Sequence, residues 1–228
     1  MTSYIVKDDP VLIWSGKTML DGRLTVPENA QSIVLLASTS GSFDHAGFRA
    51  MAQRLEESRI GSLLADLLTP QEQQFDARTG HFRLDLQLLA ERIREITRWL
   101  GRTPETVDLP VALFANGAVG AAGLIVQAKD GAFFSVVLNS PRIDLAAAAA
   151  ASVDAPVLMI TAKEEPTGMV GSVADDARLF RGPKKITIVS GSSQQLDRPQ
   201  AATDVADRAV EWLQAHSRRE VGSMKYEV

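Results

Sequence analysis

The sequence predicts an α/β protein with a mostly parallel central sheet and helices on both faces. Three observations point there. Continuous apolar runs such as residues 32–39 (SIVLLAST) read as strands buried on both sides. Segments with apolar residues every three or four positions alternate with those runs. No interior linker or internal repeat divides the chain, so residues 1–217 are expected to form one domain and residues 218–228 a polar tail.

Taken in order, residues 11–16 (VLIWSG) and 19–26 (MLDGRLTV) read as paired strands joined at Gly16-Lys17. Residues 32–39 form the first fully buried strand. Residues 46–58 follow as a helix, with Phe48, Met51, Ala52 and Leu55 on one face. Residues 61–68 (GSLLADLL) are another buried strand, and residues 69–83 are expected to be a polar loop. Leu86, Leu89, Ile93, Ile96 and Leu100 then mark an amphipathic helix. In the second half, strands are expected at 111–115, 133–138, 157–161 and 185–189. Helices are expected at 119–128, near 172–180 and at 201–216. The alanines at 146–151 form a short helix or a loose loop.

Composition narrows the function classes. Net charge is −4 with Lys and Arg spread along the chain, so no basic stripe points to nucleic acid. The absence of cysteine excludes disulfides, thiolate–zinc sites and cysteine nucleophiles together. Residues 1–10 lack a signal-peptide core, and no apolar run approaches the ~18 residues of a membrane span, so a cytoplasmic location is expected. The three histidines are scattered, which argues against a dedicated metal site, and no cofactor is expected. SGSFDHAG and VSGSSQ lack G-x-G-x-x-G and Walker spacing, which argues against nucleotide binding.

The stretch PVALFANGAVGAAGLIVQA, residues 110–128, is an apolar strand that turns on small residues into a helix. Glycines for close strand–helix packing would account for the turn alone. They would not account for the blocks around it: LLADLLTPQEQQFDARTGHFRLDLQLLAERI before, VDAPVLMITAKEEP and ITIVSGSSQQLDRP after. Together these blocks resemble the dienelactone-hydrolase-like branch of the α/β-hydrolase superfamily, over roughly residues 19–216.

The resemblance implies a Ser-His-Asp site, and this chain departs from it. The family's G-x-S-x-G falls without a gap on Ala115, Asn116, Gly117, Ala118 and Val119, which puts Gly117 in the serine's place. A one-residue slip would put Ala118 there instead. The acid position falls on Glu164. The histidine of the family's Gly-x-x-His turn falls on Gln194, which cannot carry a proton near neutral pH. The oxyanion loop, often His-Gly in the family, reads Ser38 and Thr39, with Ser40 following. Ser38, Thr39, Ser40, Asn116 and Ala118 are thus the expected pocket residues.

Glu164 and His45 are the remaining acid/base candidates. Glu164 with Glu165 also reads as a solvated pair at a strand end. Asp44 reads first of all as a candidate helix N-cap, and adjacent residues such as Asp44 and His45 do not face each other on a helix. His81 reads as a loop residue, and His216 suits the negative end of the last helix.

Two functions follow. One is a pseudoenzyme: a pocket that binds a small carbonyl or carboxylate ligand without attacking it, in a regulatory or scaffold role. The other is a hydrolase, lyase or isomerase with relocated catalytic groups, with Glu164 leading and Ser38, Ser40 and His45 assisting. A homodimer through edge strands and the tail is compatible with both; no nucleic-acid or membrane partner is expected.

Overall fold

A computed structural model describes residues 6–41, 45–162, 173–193 and 196–217. Among the described residues, eight strands form one mixed sheet in the order β1-β2-β4-β3-β5-β6-β7-β8. β1 (Val6–Ser15) and β2 (Thr18–Val26) form an antiparallel hairpin, turned at Gly16 with φ +60°, a left-handed conformation that suits glycine. β2 also runs antiparallel to β4 (Gly61–Asp66). From β4 onward the sheet is parallel, through β3 (Ile33–Ser38), β5 (Val111–Asn116), β6 (Ser135–Pro141), β7 (Val157–Ala162) and β8 (Lys184–Val189).

Alternation along the strands feeds two cores. Leu35, Leu113 and Val136 face α3 (Leu86–Leu100) and α4 (Gly117–Asp130), where Ile93 and Leu124 meet them. Leu36, Phe114 and Val137 face the opposite layer of α1 (Ala46–Glu57) and the C-terminal helix, where Phe48 and Val205 meet them. Each fully buried Leu or Phe contributes about 1.5–3 kcal/mol, so register is fixed on both faces at once.

The segment expected as a polar loop at 69–83 is largely helical: α2 (Pro70–Thr79) and a 3-10 turn (Phe82–Leu84). Thr69 accepts from the Glu72 amide, the Glu72 carboxylate accepts from the Thr69 amide, and Pro70 opens the helix. Gly80 ends it at φ +66°. α2 has no apolar stripe, so periodicity missed what capping encodes. Smaller differences are a helix starting at Gly117 rather than at 119 and a strand shifted to Ser135–Pro141. The alanine run splits into a 3-10 turn (Ile143–Ala146) and the short α5 (Ala147–Ala150). Residues 173–176 are helical, and α6 (Pro199–His216) closes the chain against α1.

Candidate functional site

At the carboxyl ends of β3 and β5 lies a cavity of about 490 Å³. Crevices at this end of a parallel sheet are where α/β proteins place ligands. Ser38, Thr39, Ser40, Asn116 and Ala118, all expected from sequence, line it together. Ser38 ends β3 and is buried; its Oγ accepts from the Ser40 amide at 3.2 Å and lies 3.4 Å from Ser40 Oγ. Asn116 ends β5 and takes the N-cap position of α4, with Ala118 in the helix's first turn. Between them Gly117 is buried with φ +50°, and it bridges to Pro141 at the end of β6. A side chain on such a turn is strained and lifted above the sheet; glycine holds the bend with nothing to lift.

The N-cap position of α1 falls on His45 rather than on Asp44 as expected, because the helix begins only at Ala46. The His45 side chain makes no cap bond and does not line the cavity. Its Nε2 donates to the Ser40 carbonyl at 3.0 Å, so that nitrogen carries the proton and is committed to backbone. Among the described residues no base lies within hydrogen-bonding distance of the Ser38 or Ser40 hydroxyl. His81 occupies the N-cap position of the 3-10 turn beside Phe82 without a side-chain cap bond, and His216 Nδ1 donates to the Trp212 carbonyl at 2.8 Å while its ring lies against that indole, tilted by 40°. Glu164, Gln194 and Asp44 lie outside the described residues. The turn leading to Gln194 is described as far as Ser193. Gly191 bends it at φ +72°, and the fully buried Asn139 of β6 holds it by two bonds. Asn139 Nδ2 donates to the Ser193 carbonyl at 2.8 Å, and Ser192 Oγ donates to Asn139 Oδ1 at 2.8 Å.

Sequence reasoning missed the far wall of the cavity, which carries its charge. α2 and the turn after it contribute Gln73, Asp76 and Arg83; the end of β6 contributes Arg142. Asp76 is almost wholly buried. Its carboxylate accepts from the Arg83 amide at 2.9 Å and from Arg83 Nε at 2.6 Å. Burial pushes the Asp76 carboxyl up, but these bonds outweigh it and hold it below the ordinary carboxylate range. Arg142 is gripped by Asp144 through Nε and Nη2, both at 2.8 Å. In both arginines Nη1 makes no bond to the described residues. Two guanidinium ends with spare donors therefore border one polar cavity. The capping box at Thr69 would have located α2; nothing in the local pattern marks Arg142.

α2 is itself held by a buried ion pair. Arg92 of α3 donates to both oxygens of Glu72 at 2.7 Å and to the Leu67 carbonyl at 2.5 Å. Among the described residues no cluster of His, Asp or Glu could hold a metal ion, and no helix is long and apolar enough to cross a membrane.

No family model matches the chain. Two curated proteins of Mycobacterium tuberculosis, from strains CDC 1551 / Oshkosh and H37Rv, carry a provisional phosphoribosyl transferase name. Each is 33% identical over 214 residues, 92% of this chain and 47% of theirs, so the chain spans about half their length. Among solved structures, a dienelactone hydrolase from Anabaena variabilis superposes with a TM-score of 0.85 at 32% identity, over 93% of this chain and 99% of that one. The esterase domain of a Rhodothermus marinus protein matches at TM-score 0.70 and 15% identity, covering 92% and 99%, a likeness of fold. The strand order, the turn after β5 and the near-complete match to the Anabaena enzyme agree, and the chain belongs to the α/β-hydrolase family that includes that dienelactone hydrolase.

Proposed function

We propose that the protein is a non-catalytic member of this family, a pseudo-hydrolase that binds a small carbonyl or carboxylate ligand in the cavity between α2 and α4. The observation that carries this reading is Gly117. It sits at φ +50° on the strand-to-helix turn after β5, where a hydrolase of this fold needs its nucleophile. The sequence resemblance supports the same reading, because the family's Gly-x-x-His turn reads Gly191, Ser192, Ser193, Gln194 in this chain.

What remains suits binding. Arg83 and Arg142 each offer Nη1 donors, and a carboxylate takes such donors well. The first-turn amides of α4 add the positive end of a helix with no acidic residue in its first turn. His45 is tied to the Ser40 carbonyl, which supports binding over a relocated serine mechanism. The phosphoribosyl transferase named for the mycobacterial relatives describes chains about twice as long, and phosphoribosyl transfer is no part of this reading.

Calorimetric titration of the purified protein with short aliphatic and aromatic carboxylates tests the binding arm. Binding is expected, weakened about tenfold or more in Arg142→Gln, since a charged hydrogen bond contributes about 1.5–3 kcal/mol. Ordinary turnover of simple esters or lactones, retained through stringent purification, would overturn the non-catalytic assignment. A trace rate would not, because binding and oxyanion donors alone leave about 10³–10⁴-fold acceleration in other triad-stripped hydrolases.

A further inference from the structure

Among the described residues, nothing covers one face of the β1–β2 hairpin near its turn. Directly opposite residues in the antiparallel register share a face. Ile13 pairs with Leu20, and both are buried on the side that α3 covers. The alternate pairs Leu12–Asp21 and Trp14–Met19 therefore project on the other side. There Leu12 is 57%, Trp14 63% and Met19 42% exposed. β1 meets α1 on that side at its N-terminal end, through Lys7 and Glu56 at 3.5 Å. Beside the apolar residues runs a groove of about 930 Å³ between the hairpin and α1.

From this face we propose a two-fold interface between copies of this chain. Two features select a second copy as the occupant. The first is charge. The groove carries Lys7, Arg23 and Arg49 together with Asp8, Glu56 and Glu57, equal numbers of each sign. Lys7 pairs with Glu56 at 3.5 Å and Arg23 with Asp8 at 3.0 Å, so the groove presents no net charge to draw a partner of one sign. An isologous contact brings the same patch of both copies together, and a patch without net charge allows that without like-charge repulsion. The second is area. Three large side chains at this exposure present on the order of 300 Å² of apolar surface. The neighbouring groove then extends the contact toward the ~800 Å² per partner of a standard interface.

The contact is face to face rather than strand to strand. The outer edge of β1 is interrupted by a register shift between Val6 and Asp9, by Asp8 at φ +49°, and by Pro10. These devices prevent strand addition along that part of the edge. The proposal is independent of the cavity and its ligand.

Sedimentation equilibrium of the wild-type chain and of Trp14→Lys and Leu12→Lys tests it, with hydroxyl-radical footprinting of the wild type as a second readout. Both substituted positions are solvent-exposed, so native circular dichroism is expected in the variants. A wild-type dimer is expected, with its dissociation constant raised about thirtyfold or more in Trp14→Lys, as for a central aromatic contact. Trp14 and Met19 are expected to lose radical reactivity as protein concentration rises. A wild type that stays monomeric to ~100 µM overturns the proposal. So does protection of Trp14 that appears only when a different protein is added. A dimer that persists in both variants with Trp14 still reactive also overturns it and moves the contact elsewhere, as to β8 with its exposed Ile186 and Ile188.

Discussion

Replacing Arg92 with methionine is expected to cost about 3 kcal/mol of folding stability. The Arg92 side chain is 4% exposed and makes three hydrogen bonds, two to Glu72 and one to the Leu67 carbonyl. Removing one partner of a buried pair costs about 3–5 kcal/mol, mostly because the other charge stays buried. Glu72 keeps 22% exposure and its bond from the Thr69 amide, which places the cost at the low end. At about 2–4 °C per kcal/mol for a chain of this size, the melting midpoint should fall by roughly 6–12 °C. The double variant Arg92→Met with Glu72→Gln removes the stranded charge and keeps a side chain able to complete the capping box. It should recover about 1 kcal/mol or more relative to Arg92→Met alone. Urea unfolding followed by fluorescence and circular dichroism measures both. A single variant within about 0.5 kcal/mol of wild type, or a double variant no better than the single, would refute the reasoning.

The same pair links stability to acid. Burial pushes the Glu72 carboxyl up, but the bonds from Arg92 and Thr69 bring it below its ordinary value. Its contribution is therefore complete above the unfolded pKa of about 4.3 and is lost as pH falls through the lower folded value. The stability gap between wild type and Glu72→Gln should narrow below about pH 4, read by urea unfolding across an acid series. Gly47→Ala should destabilise by several kcal/mol despite alanine's better helix propensity, because a Cβ there would meet the Leu196 carbonyl oxygen at 2.2 Å; thermal melting decides it. Asn139→Leu leaves the Ser193 carbonyl and Ser192 hydroxyl without their partner, at about 1–3 kcal/mol, and hydrogen exchange should rise at residues 190–193. Gly117→Ser combined with Gln194→His should give weak esterase activity that neither single variant shows, in an assay with an activated ester.

The sheet was legible because its strands carry uninterrupted apolar runs, and α1 and α3 because their apolar spacing is regular. α2 was not legible by that route: only Asp76 of its ten residues is buried, and its stability comes from a cap, an ion pair and Arg83. The near wall of the cavity followed from the family resemblance, which mapped the nucleophile turn onto the small residues around Gly117 and the oxyanion loop onto the hydroxyls after β3. The far wall did not follow. Arg83 and Arg142 reach the cavity from turns 59 positions apart, and only the parallel order of β3, β5 and β6 brings them together.

α2 is pinned to α3 at its N-terminal end by Arg92, and Arg83 of the turn that follows folds back onto Asp76. A wall fastened at its root and braced along its length behaves as a fixed frame rather than a door. Guests would be sorted by how they fit an aperture already set when the chain folds, with little ordering entropy left to spend on capture and exchange proceeding in a single step.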